Sequence, residues 1–303
     1  MQLLTAGKSN VTALAFAPTG TGLVAVCVNH VPLWWDLPAA GSPVPLTDKA
    51  VYSCGSFAFS PDASVVSWIA DRQRVERDRR AGAARVVAAG PDSLVSDQIV
   101  CGPDARLVVL TAESRDEFHL RALAPGAGGG WAVAWHVSLA GITGWGLAGS
   151  PRSERFFVWE VPLTREGPAR RFVARSALSG EVLAETPAPL NYAGGFRAKS
   201  DGSALVAFKN SSLYYWQPGE ELERVRTGTL THYRDLAFHP DGHHLLTGNN
   251  DTTARLIDTR TWQVVRQYTW AVGQLGAVAI SPDGQLAAAG GAKGRVVVWD
   301  LDI

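Results

Sequence analysis

Three of the seven histidines, His239, His243 and His244, lie close together in the chain and could offer imidazole ligands to a metal ion. A zinc site needs three or four ligands that converge on one point. These histidines instead straddle Pro240-Asp241-Gly242, a turn sequence, and no cysteine lies nearby. The sequence therefore predicts a turn at this position and no metal centre.

The other residue types that perform chemistry form no known motif. Cys27, Cys54 and Cys101 lack Cys-x-x-Cys spacing, which favours free thiols buried in strands of a protein from a reducing cytoplasm. Asn249-Asn250-Asp251 lacks the calcium-loop spacing and its closing glutamate. There is no nucleophile elbow, phosphate-binding loop or zinc-protease motif. We predict no catalytic residue, no metal and no cofactor.

The charges balance overall but not locally. With 28 basic and 28 acidic residues in 303, the chain has no global field that would attract nucleic acid or an anionic membrane. Between residues 71 and 85, however, six arginines stand against three acidic residues. This stretch is either a contact for phosphate or an acidic partner, or a solvated outer hairpin with alternating ion pairs. We favour the hairpin.

The remaining composition favours a cytoplasmic protein. No apolar run is long enough to cross a membrane, and the N-terminus lacks the pattern of a secretory signal. The single methionine and the frequent alanine, glycine and arginine are typical of a GC-rich bacterial gene.

The elements that position these residues follow from an internal repeat. A short apolar run followed by a Pro-Asp-Gly-like turn occurs seven times, at steps of 40 to 49 residues. The turns are residues 17–20, 60–63, 102–105, 150–153, 199–202, 239–242 and 281–284. A period near 40–45 residues is typical of propeller blades with four strands each. The first apolar runs are nearly continuous, as expected for strands that are covered on both faces.

Several segments closely resemble the WD-repeat family. The stretch from Asn249 to Asp258 is similar to its tight turn and third strand, and Val298-Trp299-Asp300 and Trp34-Trp35-Asp36 have its Trp-Asp ending. Phe59 to Asp62 and Ile280 to Gly284 match its turn after the first strand. The family's Gly-His pair is missing at the expected offset, so we expect its hydrogen-bond network to be incomplete and apolar packing to contribute more stability.

The resemblance implies an all-β, seven-bladed β-propeller with four antiparallel strands per blade. We expect one domain over residues 1–303, with blades at roughly 7–53, 54–96, 97–140, 141–189, 190–230, 231–272 and 273–303 plus 1–6. The chain stops where the third strand of blade 7 should end. The N-terminal strand is therefore predicted to complete blade 7 and close the ring.

In this family, the turns between second and third strands and the loops that lead into first strands share the face most often used for partners. In this chain that face is predicted to present His30, Arg72, Arg115, Lys209, Asn249, Lys293 and His232. Trp34, Trp216 and Trp299 are expected between blades, with Trp68 and Trp159 in second strands. Trp131, Trp135 and Trp145 are less constrained, and one of them could be exposed.

The favoured function is a non-catalytic scaffold, monomeric on its own, that binds a protein or peptide partner, not nucleic acid or membrane. This hypothesis depends on the fold and on the missing catalytic motifs. A propeller enzyme of the lactonase or hydrolase type would need several acidic or histidine ligands around the central channel. A regulatory subunit of a larger assembly is the third hypothesis.

Overall fold

The computed structural model describes residues 1–37, 41–51, 56–80, 84–87, 94–102, 104–114, 117–125, 131–163, 169–188, 190 and 193–303. In these residues the regular structure is β-strand, apart from one 3-10 turn at Ala292–Gly294. The strands form seven sheets of four antiparallel strands each, which confirms the predicted seven-bladed propeller. No described helix is long and apolar enough to span a bilayer.

The first strand, β1 (Gln2–Thr5), precedes blade 1 in the chain. Each of the first six blades is then a run of four consecutive strands, ordered from the channel outwards. Blade 1 contains β2 (Val11–Phe16), β3 (Gly22–Cys27), β4 (Leu33–Asp36) and β5 (Val44–Pro45). Blade 2 contains β6 (Ala58–Phe59), β7 (Val65–Ala70), β8 (Gln73–Asp78) and β9 (Arg85–Val86). Blade 3 contains β10 (Leu94–Cys101), β11 (Arg106–Ala112), β12 (Glu117–Pro125) and β13 (Trp131–Ala140).

The later blades repeat this order. Blade 4 contains β14 (Ile142–Ala148), β15 (Arg155–Pro162), β16 (Arg171–Ser176) and β17 (Val182–Pro187). Blade 5 contains β18 (Gly195–Ala198), β19 (Leu205–Lys209), β20 (Ser212–Trp216) and β21 (Glu223–Val225). Blade 6 contains β22 (Tyr233–Phe238), β23 (His244–Asn249), β24 (Thr253–Asp258) and β25 (Gln263–Thr269). Blade 7 contains β26 (Ala277–Ile280), β27 (Leu286–Gly290), β28 (Arg295–Asp300) and β1.

The seven repeated turns join the first and second strands of the blades. In each of them, the amide of the fourth residue donates a hydrogen bond to the carbonyl of the first, as from Gly242 to His239 (3.0 Å) and from Gly284 to Ser281 (2.9 Å). Gly242 and Gly284 have φ of +72° and +80°, where glycine has no steric penalty. The recurrence of Pro-Asp-Gly is therefore a consequence of backbone geometry.

The core lies between neighbouring blades. One apolar cluster combines Val24 and Trp34 of blade 1 with Val66 and Trp68 of blade 2, and all four side chains are buried. Each residue of β3 is buried, because this strand is covered on both faces. The predicted burial of Trp34, Trp68, Trp159, Trp216 and Trp299 is confirmed.

The ring closes as predicted. Strand β1 pairs antiparallel with β28, with Gln2 opposite Val298 and Thr5 opposite Arg295. Leu4 is buried in the cluster that joins blade 7 to blade 1. The amide of Ala6 donates to the carbonyl of Gly294 (2.7 Å) and extends the junction beyond the strand.

Buried arginines are the main feature that the sequence did not predict. Third strands in four blades each contain a buried arginine that pairs with a carboxylate: Arg74 with Glu76, Arg121 with Glu113, Arg175 with Glu160, and Arg255 with Asp251. The solvated-hairpin interpretation was therefore wrong for Arg74, whose pKa is lowered by burial. Polar networks thus persist inside blades 2, 3, 4 and 6 alongside the apolar packing.

Candidate functional site

The loop face is the side of the ring formed by the turns between second and third strands and by the loops that lead into first strands. Its described parts include residues 7–10, 28–32, 71–72, 209–211, 229–232, 250–252 and 291–294. Backbone hydrogen bonds tie several incoming loops to the turn of the preceding blade. The amide of Val95 donates to Arg72 O (2.8 Å), that of Tyr233 to Asn210 O (2.8 Å) and that of Val11 to Gly291 O (3.1 Å). These bonds hold the loops on a rigid scaffold.

The structure places most of the predicted partner-binding residues on the loop face. Arg72, His232 and Lys293 are exposed, and Arg72 and Lys293 occupy turn positions with φ of +62° and +60°. His30 and Lys209 are half-buried. Arg115 lies outside the described residues.

Asn249 does not lie on this surface, which corrects its predicted placement. It is the last residue of β23 and is fully buried. Its side-chain amide donates to Thr253 O (3.0 Å) and thereby braces the turn that follows. Sequence position alone could not separate this inward-facing residue from its neighbour Asn250, which is more accessible.

Four exposed cationic side chains lie at this end of the ring. Lys8, Arg72, Arg234 and Lys293 are all exposed, and none of them forms an ion pair with a described residue. Three of them, Lys8, Arg234 and Lys293, belong to the adjacent blades 1, 6 and 7. We call Lys8, Arg234 and Lys293 the basic cluster. It offers cationic donors that carboxylates can bind from outside.

An exposed apolar residue lies on the same face. Leu230 is 92% exposed, in the loop that leads into β22. Hydrogen bonds hold its loop against β22, since the Thr227 and Thr229 hydroxyls lie 2.6 and 3.1 Å from the hydroxyl of Tyr233, the first residue of that strand. Leu230 was not predicted from the sequence, where its only signal was one large apolar side chain between two threonines in a loop.

Two carboxylates on inner strands tie the blades together around the central channel. Asp97 in blade 3 accepts hydrogen bonds from the Ser56 hydroxyl of blade 2 and from the amide of Leu147 in blade 4 (2.7 Å). Asp235 in blade 6 accepts from Arg197 of blade 5 (2.6 Å) and from the amide of Val278 in blade 7 (3.0 Å).

These contacts give the channel carboxylates a structural role. Burial raises the pKa of Asp97, and the hydrogen bonds from Ser56 and Leu147 oppose that rise. Both aspartates line a cavity of about 540 Å³ together with Arg197 and Arg234. Because their oxygens already accept bonds from neighbouring blades, they are poorly placed to serve as catalytic bases.

The structure brings together two of the three histidines singled out in the sequence. His239 Nδ1 and His244 Nδ1 lie 3.0 and 2.6 Å from Asp241 Oδ2, at the turn between β22 and β23. His243 is exposed and contributes its amide, which donates to Asp241 Oδ1 (2.7 Å). Burial alone would raise the pKa of Asp241, but these hydrogen bonds outweigh it and lower the pKa.

Replacing Asp241 by asparagine is expected to reduce stability at neutral pH by roughly 1–2 kcal/mol, because charge-assisted bonds are lost. Since the folded-state pKa of Asp241 is lowered, its contribution is present above about pH 4 and is lost as the pH falls further. The gap between native protein and D241N should therefore narrow as the pH falls below about 4. Urea unfolding of both proteins from pH 7 to pH 3 measures the difference in their free energies of unfolding. A difference that stays constant over this range would contradict the prediction.

The described thiols are buried, and Trp131 and Trp135 form hydrogen bonds within the propeller. Cys27 and Cys101 are free and buried, and burial raises the pKa of Cys27 to about 11; Cys54 lies outside the described residues. Trp131 is partly exposed and donates to Glu76 (3.0 Å), whereas Trp135 donates to Ala177 O (2.8 Å). The Trp145 side chain lies outside the described part of the chain.

Comparison with known proteins finds a family-model match in the C-terminal blades and a relative similar to part of the chain. Residues 224–258 and 264–300 each match the family model described as WD domain, G-beta repeat. Over 88 residues the chain is 33% identical to Eukaryotic translation initiation factor 3 subunit I of Emericella nidulans. That stretch covers 29% of this chain and 26% of the relative. The bacterial source favoured by composition stays a prediction.

The two matched segments have the same structural content. Residues 224–258 cover most of the outer strand of blade 5 and the first three strands of blade 6; residues 264–300 repeat this one blade further on. Each match is thus one complete repeat unit that overlaps two blades. The chain is a seven-bladed β-propeller in which these two segments match the WD-repeat model.

Proposed function

We propose that the protein is a non-catalytic interaction module whose loop face binds an acidic segment of a protein partner. The observation that supports this most directly is the basic cluster, Lys8, Arg234 and Lys293, which is exposed and has no ion pair among the described residues. Exposed cations without an ion pair of their own favour and steer a partner of opposite sign.

Leu230 adds an exposed apolar side chain, four residues before Arg234 in the chain. Because it is 92% exposed and two residues from His232, a partner segment with an apolar side chain between its acidic residues would suit both features. Apolar contact contributes affinity, whereas the charges contribute orientation and association rate. The ring itself need not change shape, since backbone bonds between blades hold the loops.

Membership in an assembly is part of the same proposal. The relative from Emericella nidulans is by its name a subunit of a larger factor, although the match covers only 26% of its length. The proposed setting is the cytoplasm, where free buried thiols such as Cys27 and Cys101 remain reduced.

Charge reversal of the basic cluster tests the proposal. The amount of partner captured by the triple variant K8E/R234E/K293E should be at least about tenfold lower than for the native protein. The variant replaces attraction of an acidic segment by repulsion at three positions. The measurement is affinity capture from the native lysate with quantitative mass spectrometry. Recovery should also fall as salt is raised, as expected for exposed charges.

The matched control is R266E. Arg266 is an exposed arginine on the outermost strand β25, away from the loop face, and forms no ion pair with a described residue. It should retain the partners of the native protein. Equal recovery with the triple variant and the native protein would contradict the proposed surface, provided that circular dichroism shows both to be folded.

A further inference from the structure

We propose that blade 3 contains a binding site for a divalent transition metal of the zinc class, formed by Glu113, Glu117 and His119. This site is separate from the basic cluster and independent of the proposed partner. It lies where the turn after β11 leads into β12, at the rim of the loop face.

Strand geometry brings the three side chains together. Glu117 and His119 are two residues apart on β12 and therefore project from the same face of the sheet. The amide of Glu113 donates to Glu117 O (3.0 Å), which continues the β11–β12 register and places Glu113 opposite Glu117 on the same face. The ligand atoms of all three residues lie within 4.8 Å of one another.

The distances fit a shared cation better than direct hydrogen bonds. His119 Nε2 lies 3.6 Å from Glu113 Oε2 and 3.7 Å from Glu117 Oε1. These separations are too long for hydrogen bonds. Ligand atoms about 2.1 Å from a tetrahedral Zn²⁺ lie about 3.4 Å apart, close to both distances.

The buried nitrogen of His119 is an independent observation that points to a ligand. The residue is only 4% exposed, and its Nε2 has no hydrogen-bond partner among the described residues. Buried polar atoms are rarely left without a partner, because desolvation is then uncompensated. A metal between Nε2 and the two carboxylates would satisfy this atom.

The surrounding residues would hold the ligands in place. His119 Nδ1 lies 2.8 Å from His136 Nε2, so a metal-bound His119 would donate its remaining proton to His136. Metal-bound histidines usually donate their second ring N–H in this way. Arg121 holds Glu113 by its other oxygen, Oε1.

The donor set indicates the class of metal. One imidazole and two carboxylates suit Zn²⁺ and its first-row neighbours; Mg²⁺ and Ca²⁺ prefer oxygen ligands alone. Three protein ligands leave a fourth position for water or for a side chain of another molecule. The second grouping, His239, Asp241 and His244, is already joined by contacts of 2.6 and 3.0 Å, which are hydrogen-bond distances.

Zinc titration of the full, chelator-treated chain by calorimetry tests the site. We expect one equivalent of Zn²⁺ to bind with micromolar or tighter Kd, and Mg²⁺ not to compete. E117Q should weaken Zn²⁺ binding at least about tenfold, because an amide replaces a charged ligand. H244Q removes a ligand from the other grouping and should bind as the native protein does. Zn²⁺ should raise the Tm of the native protein and H244Q but not that of E117Q.

X-ray absorption of the zinc-loaded native protein locates the metal without a variant. One imidazole together with oxygen ligands would support the blade 3 site. Two imidazoles, or zinc binding lost in H244Q and kept in E117Q, would place the metal at the other turn and overturn the proposal. Absence of zinc binding to the native protein would overturn it as well.

Discussion

Deletion of residues 1–6 is expected to lower the Tm of the protein by roughly 10 °C or more. Strand β1 contributes the fourth strand of blade 7, paired with β28 from Gln2–Val298 to Thr5–Arg295. Its loss removes the buried side chains of Leu4 and Ala6 from the junction between blades 7 and 1. Burial of a leucine side chain contributes about 2–3 kcal/mol, and the lost hydrogen bonds add to it. For a chain of this length, each kcal/mol lost from the free energy of unfolding lowers the Tm by at most about 2–4 °C.

The deletion also opens an edge. Without β1, the outward backbone groups of β28 lose their partners, and an apolar edge strand invites association with other chains. Light scattering should therefore show more aggregation on heating than for the native protein. Calorimetry and circular dichroism measure the Tm; an unchanged melt would contradict closure by this strand.

Single substitutions in β1 supply the matched control. Leu3 is exposed and Leu4 is buried, although they are neighbours on one strand. L4S should lower the Tm by several degrees, whereas L3S should leave it nearly unchanged. Equal effects would show that the strand acts through its backbone alone.

Replacement of Glu160 by glutamine is expected to destabilise the protein by about 3–5 kcal/mol. Glu160 is 1% exposed on β15 and accepts from Arg171 Nε (2.9 Å) and from Arg175 Nη2 (2.8 Å) on β16. Arg175 is itself buried, so a neutral amide at position 160 would leave its charge uncompensated. The amide NH₂ group, a donor, would also face the N–H donors of an arginine. Urea unfolding of E160Q and native protein measures the difference.

Glu185 provides a control with the same partner. It accepts from Arg171 Nη1 at 2.8 Å but is 50% exposed. An exposed pair contributes little, so E185Q should cost less than about 1 kcal/mol. If E160Q and E185Q proved equally mild, the buried pair would not be a main support of blade 4.

The parts of the fold that were predicted depend on local backbone chemistry. A turn such as His239–Gly242 requires particular φ angles, so its residue types repeat with the blade and can be read along the chain. The closure by Gln2–Thr5 followed from the number of strands per blade. Blade 7 lacked a fourth strand, and the N-terminal strand had no partner in blade 1. Turn chemistry and strand count are both properties of short stretches.

The parts that were missed depend on which way a side chain faces. Arg74 occurs in a polar stretch typical of an exposed strand and Arg121 between apolar residues, and each is buried against a carboxylate. Asn249 and Asn250 are neighbours of one type, but the first faces inward. A one-residue difference in register exchanges the two faces of a strand, and the sequence does not reveal the register inside an irregular blade.

The amino-acid sequence alone was enough to specify the propeller: the repeated turns, the buried first strands, the tryptophans between blades and the strand that closes the ring. Local geometry specifies each of these, so no distant residue is needed to recognise them. Which charges face each other is a property of the folded ring. The basic cluster of Lys8, Arg234 and Lys293 depends on ring closure, which brings blades 6, 7 and 1 side by side. The grouping of Glu113, Glu117 and His119 depends on the antiparallel pairing of β11 with β12. Charge and metal affinity depend on distances in space, which follow from the fold.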